Sequence, residues 1–142
     1  MAWFADLSPC SYFGEESAGC LRSVGWLERG RPFATGPVDP AVYTRLVELL
    51  KDPWQPGLFV GVHHCDLCQY EGSATSVRNL FVPSEGTVFV CPELITHYMN
   101  AHWYQPPDEF CRAALACPPM RSVPYLKALL AGARPLVQAA IA

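Results

Sequence analysis

Residues 63–68 read HHCDLC, two histidines and two cysteines within six positions. Cys65 and Cys68 have the C-x2-C spacing, which lets a tight turn aim two thiolates at one ion with backbone N–H groups turned toward the sulfurs. A thioredoxin-like redox pair shares this spacing, but it follows a strand and opens a helix. Here DLCQYEGS, residues 66–73, leads into loop and hairpin signals instead, so the pair reads as half of a metal site. GLFVGVHHC, residues 57–65, reads as a strand entering it. Strand alternation puts Phe59, Gly61, His63 and Cys65 on one face and Leu58, Val60, Val62 and His64 on the other. His63 is therefore a reserve ligand, and His64 a bystander.

Working outward, RNLFVP (78–83) and TVFVC (87–91) read as two strands joined through SEG, a hairpin signature. CPELITHYMNAHWY (91–104) reads as a helix, with Pro92 at its first turn and Glu93 suited to the helix dipole. His97 and His102 on that helix are spaced H-x4-H, inside the window that zinc fingers use. Knuckle, hairpin, helix is the order of a treble-clef or ββα zinc finger. The ligand set this favours is Cys65, Cys68, His97 and His102. The alternative set puts His63 in place of His102. Two thiolates and two neutral imidazoles leave zinc(II) with no net charge, which lowers the cost of burial. Glu93, four residues before His97, is expected to orient the imidazole from outside the ligand set.

The flanks supply helices. Residues 39–51 carry an N-cap (Asp39), a proline at the first helical position (Pro40) and an apolar stripe of Val42, Leu46, Leu49 and Leu50. PPDEFCRAALAC (106–117) and SVPYLKALLAGA (122–133) read as two more, the latter ending near Gly132, with a short apolar tail after it. Residues 1–37 read as irregular or lightly structured, VGWLERG (24–30) as a short strand running into a turn. The expected fold class is a small α+β domain over 1–142. Its parts are an N-terminal segment with one helix (1–57), a knuckle-hairpin-helix core (58–104) and C-terminal helices (105–142). Fourteen prolines favour short elements and rigid turns over a long-helix bundle.

Composition narrows the function classes. An apolar share of 51% with 16% charged residues fits a packed core and not disorder. The net charge is −3, and the basic residues are scattered but for a loose group of Arg22, Arg29 and Arg31. The helix at 92–104 carries no Lys or Arg, so it is a poor reader of phosphate or guanine. The first ten residues, MAWFADLSPC, lack the basic and apolar regions of a signal peptide, and no run approaches a membrane span. Seven cysteines in a chain read as cytoplasmic suggest metal binding rather than a disulfide framework. Cys10, Cys20, Cys111 and Cys117 read as small buried apolar residues.

Several stretches resemble an uncharacterised family of bacterial proteins with no assigned function. They are DLSP (6–9), VGWL (24–27), RPFATGPV (31–38), HHCDLC (63–68) and VFVCPELITHYMNAHWYQPPDEF (88–110). The resemblance spans most of the chain to about residue 110, and its last piece is the most specific. It implies that His63, Cys65, Cys68, His97 and His102 all belong to the family pattern, without saying which four bind. Cys10 and Cys91 stand where the pattern is expected to carry Tyr and Ala.

The expected function is a zinc-binding protein with a structural metal site, a non-catalytic interaction or accessory module whose partner is another protein. One alternative is a zinc-dependent hydrolase or His-metal finger nuclease, though neither H-E-x-x-H nor H-x-E occurs. A nucleic-acid-binding zinc finger is the other, disfavoured by the charge pattern.

Overall fold

The computed structural model describes residues 2–57, 61–68 and 74–141. It is an α+β fold with five helices and two small sheets among the described residues. In chain order the elements are α1 (Glu15–Ala18), β1 (Leu21–Ser23), α2 (Pro40–Leu49), β2 (His63–His64) and β3 (Thr75–Ser76). β4 (Asn79–Ser84), β5 (Thr87–Pro92), α3 (Ile95–His102), α4 (Asp108–Ala116) and α5 (Val123–Ile141) follow.

The centre is the hairpin of β4 and β5. Its loop is Glu85–Gly86, with φ of 47° and 81°. Two left-handed residues match the strands' right-handed twist, and the second is a glycine, which adopts this conformation without strain. Leu80, Phe81, Val82, Val88 and Val90 are fully buried. Neighbours on a strand point to opposite faces, so this hairpin is covered on both sides. α5 packs against both strands and α4 against β4. α5 comes so close at Gly132 that an added Cβ would stand 2.9 Å from Val88 Cγ2 and 3.1 Å from the Thr87 carbonyl oxygen.

The segment expected to be irregular contributes the third strand. β1 runs parallel to β5, Leu21 opposite Val88 and Ser23 opposite Val90, giving the order β1-β5-β4. Trp26 is buried beyond it, and its indole N–H donates to the Val90 carbonyl at 3.0 Å. Phe4, Tyr12, Phe13 and His63 surround its ring. Short strands of three residues give too few alternations to stand out in sequence. This one is recognisable only by its pairing.

The helix expected at 39–51 is α2, with the Asp39 side chain accepting from the Ala41 N–H at 2.9 Å. The helix expected from Pro92 starts later, at Ile95, because Pro92 closes β5 opposite Asn79. Pro92 and Cys91 thus belong to the sheet, and Cys91 is fully buried there. The expected stop near Gly132 is a kink at Ala133 (φ −145°, ψ 56°), two residues before Pro135, after which helix resumes. A proline ring collides with the preceding turn and lacks the donor a continuous helix needs. The strand expected over 57–65 falls partly on Leu58, Phe59 and Val60, which lie outside the described residues. Its end survives as β2, paired antiparallel with β3 (His63 opposite Ser76, His64 opposite Thr75).

Candidate metal centre

Cys65 and Cys68 lie just after β2, in a turn tied back by the Cys65 N–H, which donates to the Ala74 carbonyl at 2.9 Å. α3 follows the β4–β5 hairpin and brings in His97 and His102. Their ligand atoms and the two sulfurs all lie within 4.8 Å of one another. Cys68 Sγ is 3.3 Å from His97 Nε2 and 3.5 Å from His102 Nε2, and Cys65 Sγ is 3.3 Å from His102 Nε2. Four donors in this arrangement are close enough to hold one metal ion. Cys65 is buried and the other three are half-buried.

The histidine spacing needs explanation. Residues five apart sit about 140° apart around an ideal helix of 3.6 residues per turn, so they do not share a face. α3 resolves this at its end. The N–H groups of Trp103 and Tyr104 both reach back to the Tyr98 carbonyl, a turn wider than the α-helical one, of the kind found at helix C-termini. The wider turn carries His102 back toward His97, whose ring centroid is 5.1 Å away. Tyr104 pins this end: fully buried, its hydroxyl donates to the Asp6 carboxylate at 2.8 and 2.9 Å, while Asp6 Oδ1 also accepts from the Gly25 N–H.

Burial, then the neighbouring His102, holds the His97 imidazole below its ordinary pKa, which favours the neutral form a metal requires. Burial above all, then the neighbouring Cys68 side chain, pushes the Cys65 thiol up, against the smaller downward pull of the Leu67 and Cys68 backbone N–H groups. A metal ion coordinated by such a thiol would deprotonate it.

His63 is in a different place. It is 1% exposed and packs its ring against Trp26 and Tyr12, with centroids at 5.1 and 5.5 Å. Neither ring nitrogen makes a hydrogen bond, and its donors are outside the four-residue group. The β2 alternation does hold, with His63 inward and His64 exposed. Inward here means toward the aromatic core. Glu93 sits in the turn before α3, where helical spacing does not apply. Its carboxylate accepts from the Arg78 guanidinium, which also donates to the Leu50 carbonyl at 2.9 Å. No hydrogen bond joins Glu93 to His97.

Two neighbours of the site carried no ligand signal in the sequence. Arg29 reaches the knuckle from 37 positions away, its N–H donating to Asp66 Oδ2 at 2.8 Å and its side chain to knuckle carbonyls. Arg22 and Arg31 bond elsewhere, to Gly19 and Leu21 carbonyls and to Glu28, so the loose arginine group has no common face target. Trp103, next to His102, has φ 59° and is 66% exposed. With Tyr43, Met99, Asn100 and Pro37 it lines a groove of about 300 Å³. The left-handed conformation disfavours every side chain by about 1 kcal/mol relative to glycine. Trp103→Gly is therefore expected to hold stability or raise it by up to about 1 kcal/mol in urea unfolding, whereas a core tryptophan removed costs about 3–5 kcal/mol. A loss of that size would show that the side chain serves packing.

Among the described residues no helix is long and apolar enough to cross a membrane. No curated protein and no solved structure matches the chain. A family model does, over residues 2–115, a range that holds all four donors, Arg29 and Trp103. The chain belongs to that family, Domain of unknown function (DUF7919).

Proposed function

We propose that the four donors bind zinc as a structural centre and that the protein is a non-catalytic interaction or accessory module. The donor geometry carries this reading. Tetrahedral zinc with Zn–S of about 2.3 Å and Zn–N of about 2.0–2.1 Å sets sulfur and nitrogen about 3.6 Å apart. The sulfur–nitrogen separations of 3.3–3.5 Å are close to that edge. Two soft thiolates and two imidazoles suit zinc over the hard cations, which take oxygen. Four protein ligands close the sphere, and a closed sphere has no position for a water nucleophile. The order knuckle, hairpin, helix also agrees with a treble-clef-like arrangement.

The interaction half of the reading rests on Trp103. Trp103 is exposed and in a conformation that favours glycine, and Trp is among the side chains on which protein interfaces concentrate their energy. The partner expected is another protein. α3 contributes no cation for nucleic acid, since residues 95–102 contain neither Lys nor Arg.

Cobalt substitution tests the closed site. The proposal expects the intense visible bands of tetrahedral cobalt and no change on adding azide. A five-coordinate spectrum or an azide-dependent shift would favour the hydrolase reading. The same samples decide between histidines. His102→Ala is expected to weaken metal affinity by more than the roughly 10–100-fold that second-sphere changes cost, while His63→Ala keeps the affinity and loses stability through the cavity it leaves. The opposite pattern would replace His102 by His63 in the site.

A further inference from the structure

Arg29 touches none of the four donor atoms, yet its contacts converge on the knuckle that carries two of them. Its Nε donates to the Asp66 carbonyl at 3.0 Å and its Nη2 to the Cys68 carbonyl at 3.2 Å. Its own N–H donates to Asp66 Oδ2 at 2.8 Å, so the knuckle is gripped by backbone and side chain together. The Asp66–Leu67 peptide lies between Arg29 and Cys65. The described chain contains no cis peptide, and in a trans peptide the C=O and N–H point to opposite sides. The Asp66 carbonyl accepts from the guanidinium, and the Leu67 N–H, on the other side of the peptide, pulls the Cys65 thiol's pKa down against its burial. A cation on the carbonyl polarises the peptide and strengthens the N–H as a donor. The planar fork of arginine also fixes two carbonyls at once, which a lysine ammonium does less well.

We propose that Arg29 is a positioning residue of the metal centre, holding the Cys65–Cys68 knuckle in shape through the Asp66 and Cys68 carbonyls and, across the Asp66–Leu67 peptide, turning a polarised Leu67 N–H to the side of Cys65. This rests on the metal reading of the four donors. It gives VGWLERG a role that its sequence does not announce: Trp26 anchors the segment in the core, and Arg29, three residues on, holds the knuckle.

The test is zinc affinity by chelator competition on the full chain, with cobalt spectra alongside. Arg29→Ala is expected to lose about 10–100-fold in zinc affinity, the range of second-sphere partners, and to shift the thiolate-to-cobalt charge-transfer band. Arg29→Lys keeps the charge but not the fork and is expected to recover part of both. Arg31→Ala removes the same charge two positions away, where the side chain pairs with Glu28 and stacks over Trp3, and is expected to match wild type. Wild type that binds zinc beside an Arg29→Ala chain that binds it as tightly, with an unmoved band, overturns the inference alone. An equal loss in Arg31→Ala also overturns it, because the effect is then one of net charge. Wild type that binds no zinc overturns the metal reading and the inference with it. If Arg29→Ala does not fold, the Arg29→Lys affinity and band decide: both unchanged from wild type overturn the inference.

Discussion

Stripping the metal with a tight chelator is expected to lower the melting temperature by more than about 10 °C. A ligand held only by the folded state stabilises it by about 4 kcal/mol when present at a thousand times its Kd, and each kcal/mol moves the midpoint of a domain this size by roughly 3–4 °C. The structure shows where the loss falls. The Cys65–Cys68 turn and the end of α3 come from segments that the β4–β5 hairpin separates, and the four donors bring them together. Without an ion, Cys65 reverts to a buried thiol whose pKa burial has already raised, and His97 and His102 are left sharing only the Cys68 sulfur. The loss is expected to be local. The fully buried strands hold without metal, so far-UV circular dichroism changes little while the midpoint falls. Zinc added back restores the midpoint. A chelated protein that melts where the untreated one does would remove the stabilising role.

Trp26→Ala is expected to destabilise by about 4–5 kcal/mol in urea unfolding. Removing a fully enclosed tryptophan typically costs about 3–5 kcal/mol in lost transfer energy and cavity. Trp26 is 1% exposed and meets four rings, three of them edge-to-face (Phe4, Phe13 and His63) and Tyr12 tilted, and such packing adds to area burial. Trp26→Phe is expected to cost much less, about 1–2 kcal/mol. The indole's acceptor, the Val90 carbonyl, also accepts from the Val24 N–H at 3.0 Å, so losing the indole does not orphan it. Equal losses for the two variants would mean that the hydrogen bond, not the volume, is what Trp26 contributes.

What could be read in the sequence follows from how local each signal is. α2 carries its cap and its stripe within a dozen residues, and the hairpin carries its turn between two apolar runs, so both stand where expected. The C-x2-C pair and H-x4-H pair are likewise short motifs, and their four residues converge. What the sequence hides is set by distant partners. β1 is three residues long and becomes a strand by lying beside β5, sixty-seven positions away at Leu21 and Val88. Pro92 looks like a helix start and ends a strand because Asn79 faces it. Alternation sorts His63 from His64 correctly, but it cannot tell a metal from an aromatic core on the inward side. Glu93 shows the same limit: counted as helical it faces His97, and in its turn it meets Arg78. Arg29 has no motif of its own, because its role lies in carbonyls 37 and 39 positions away.

Cys65, Cys68, His97 and His102 are proposed to hold one zinc ion. Elemental analysis of the purified protein tests it most directly, with Cys68→Ser measured in parallel. About one zinc per chain is expected in wild type, from a single four-donor site, and none retained after dialysis in the variant. A wild-type chain that carries no metal and takes up none from added zinc would contradict it.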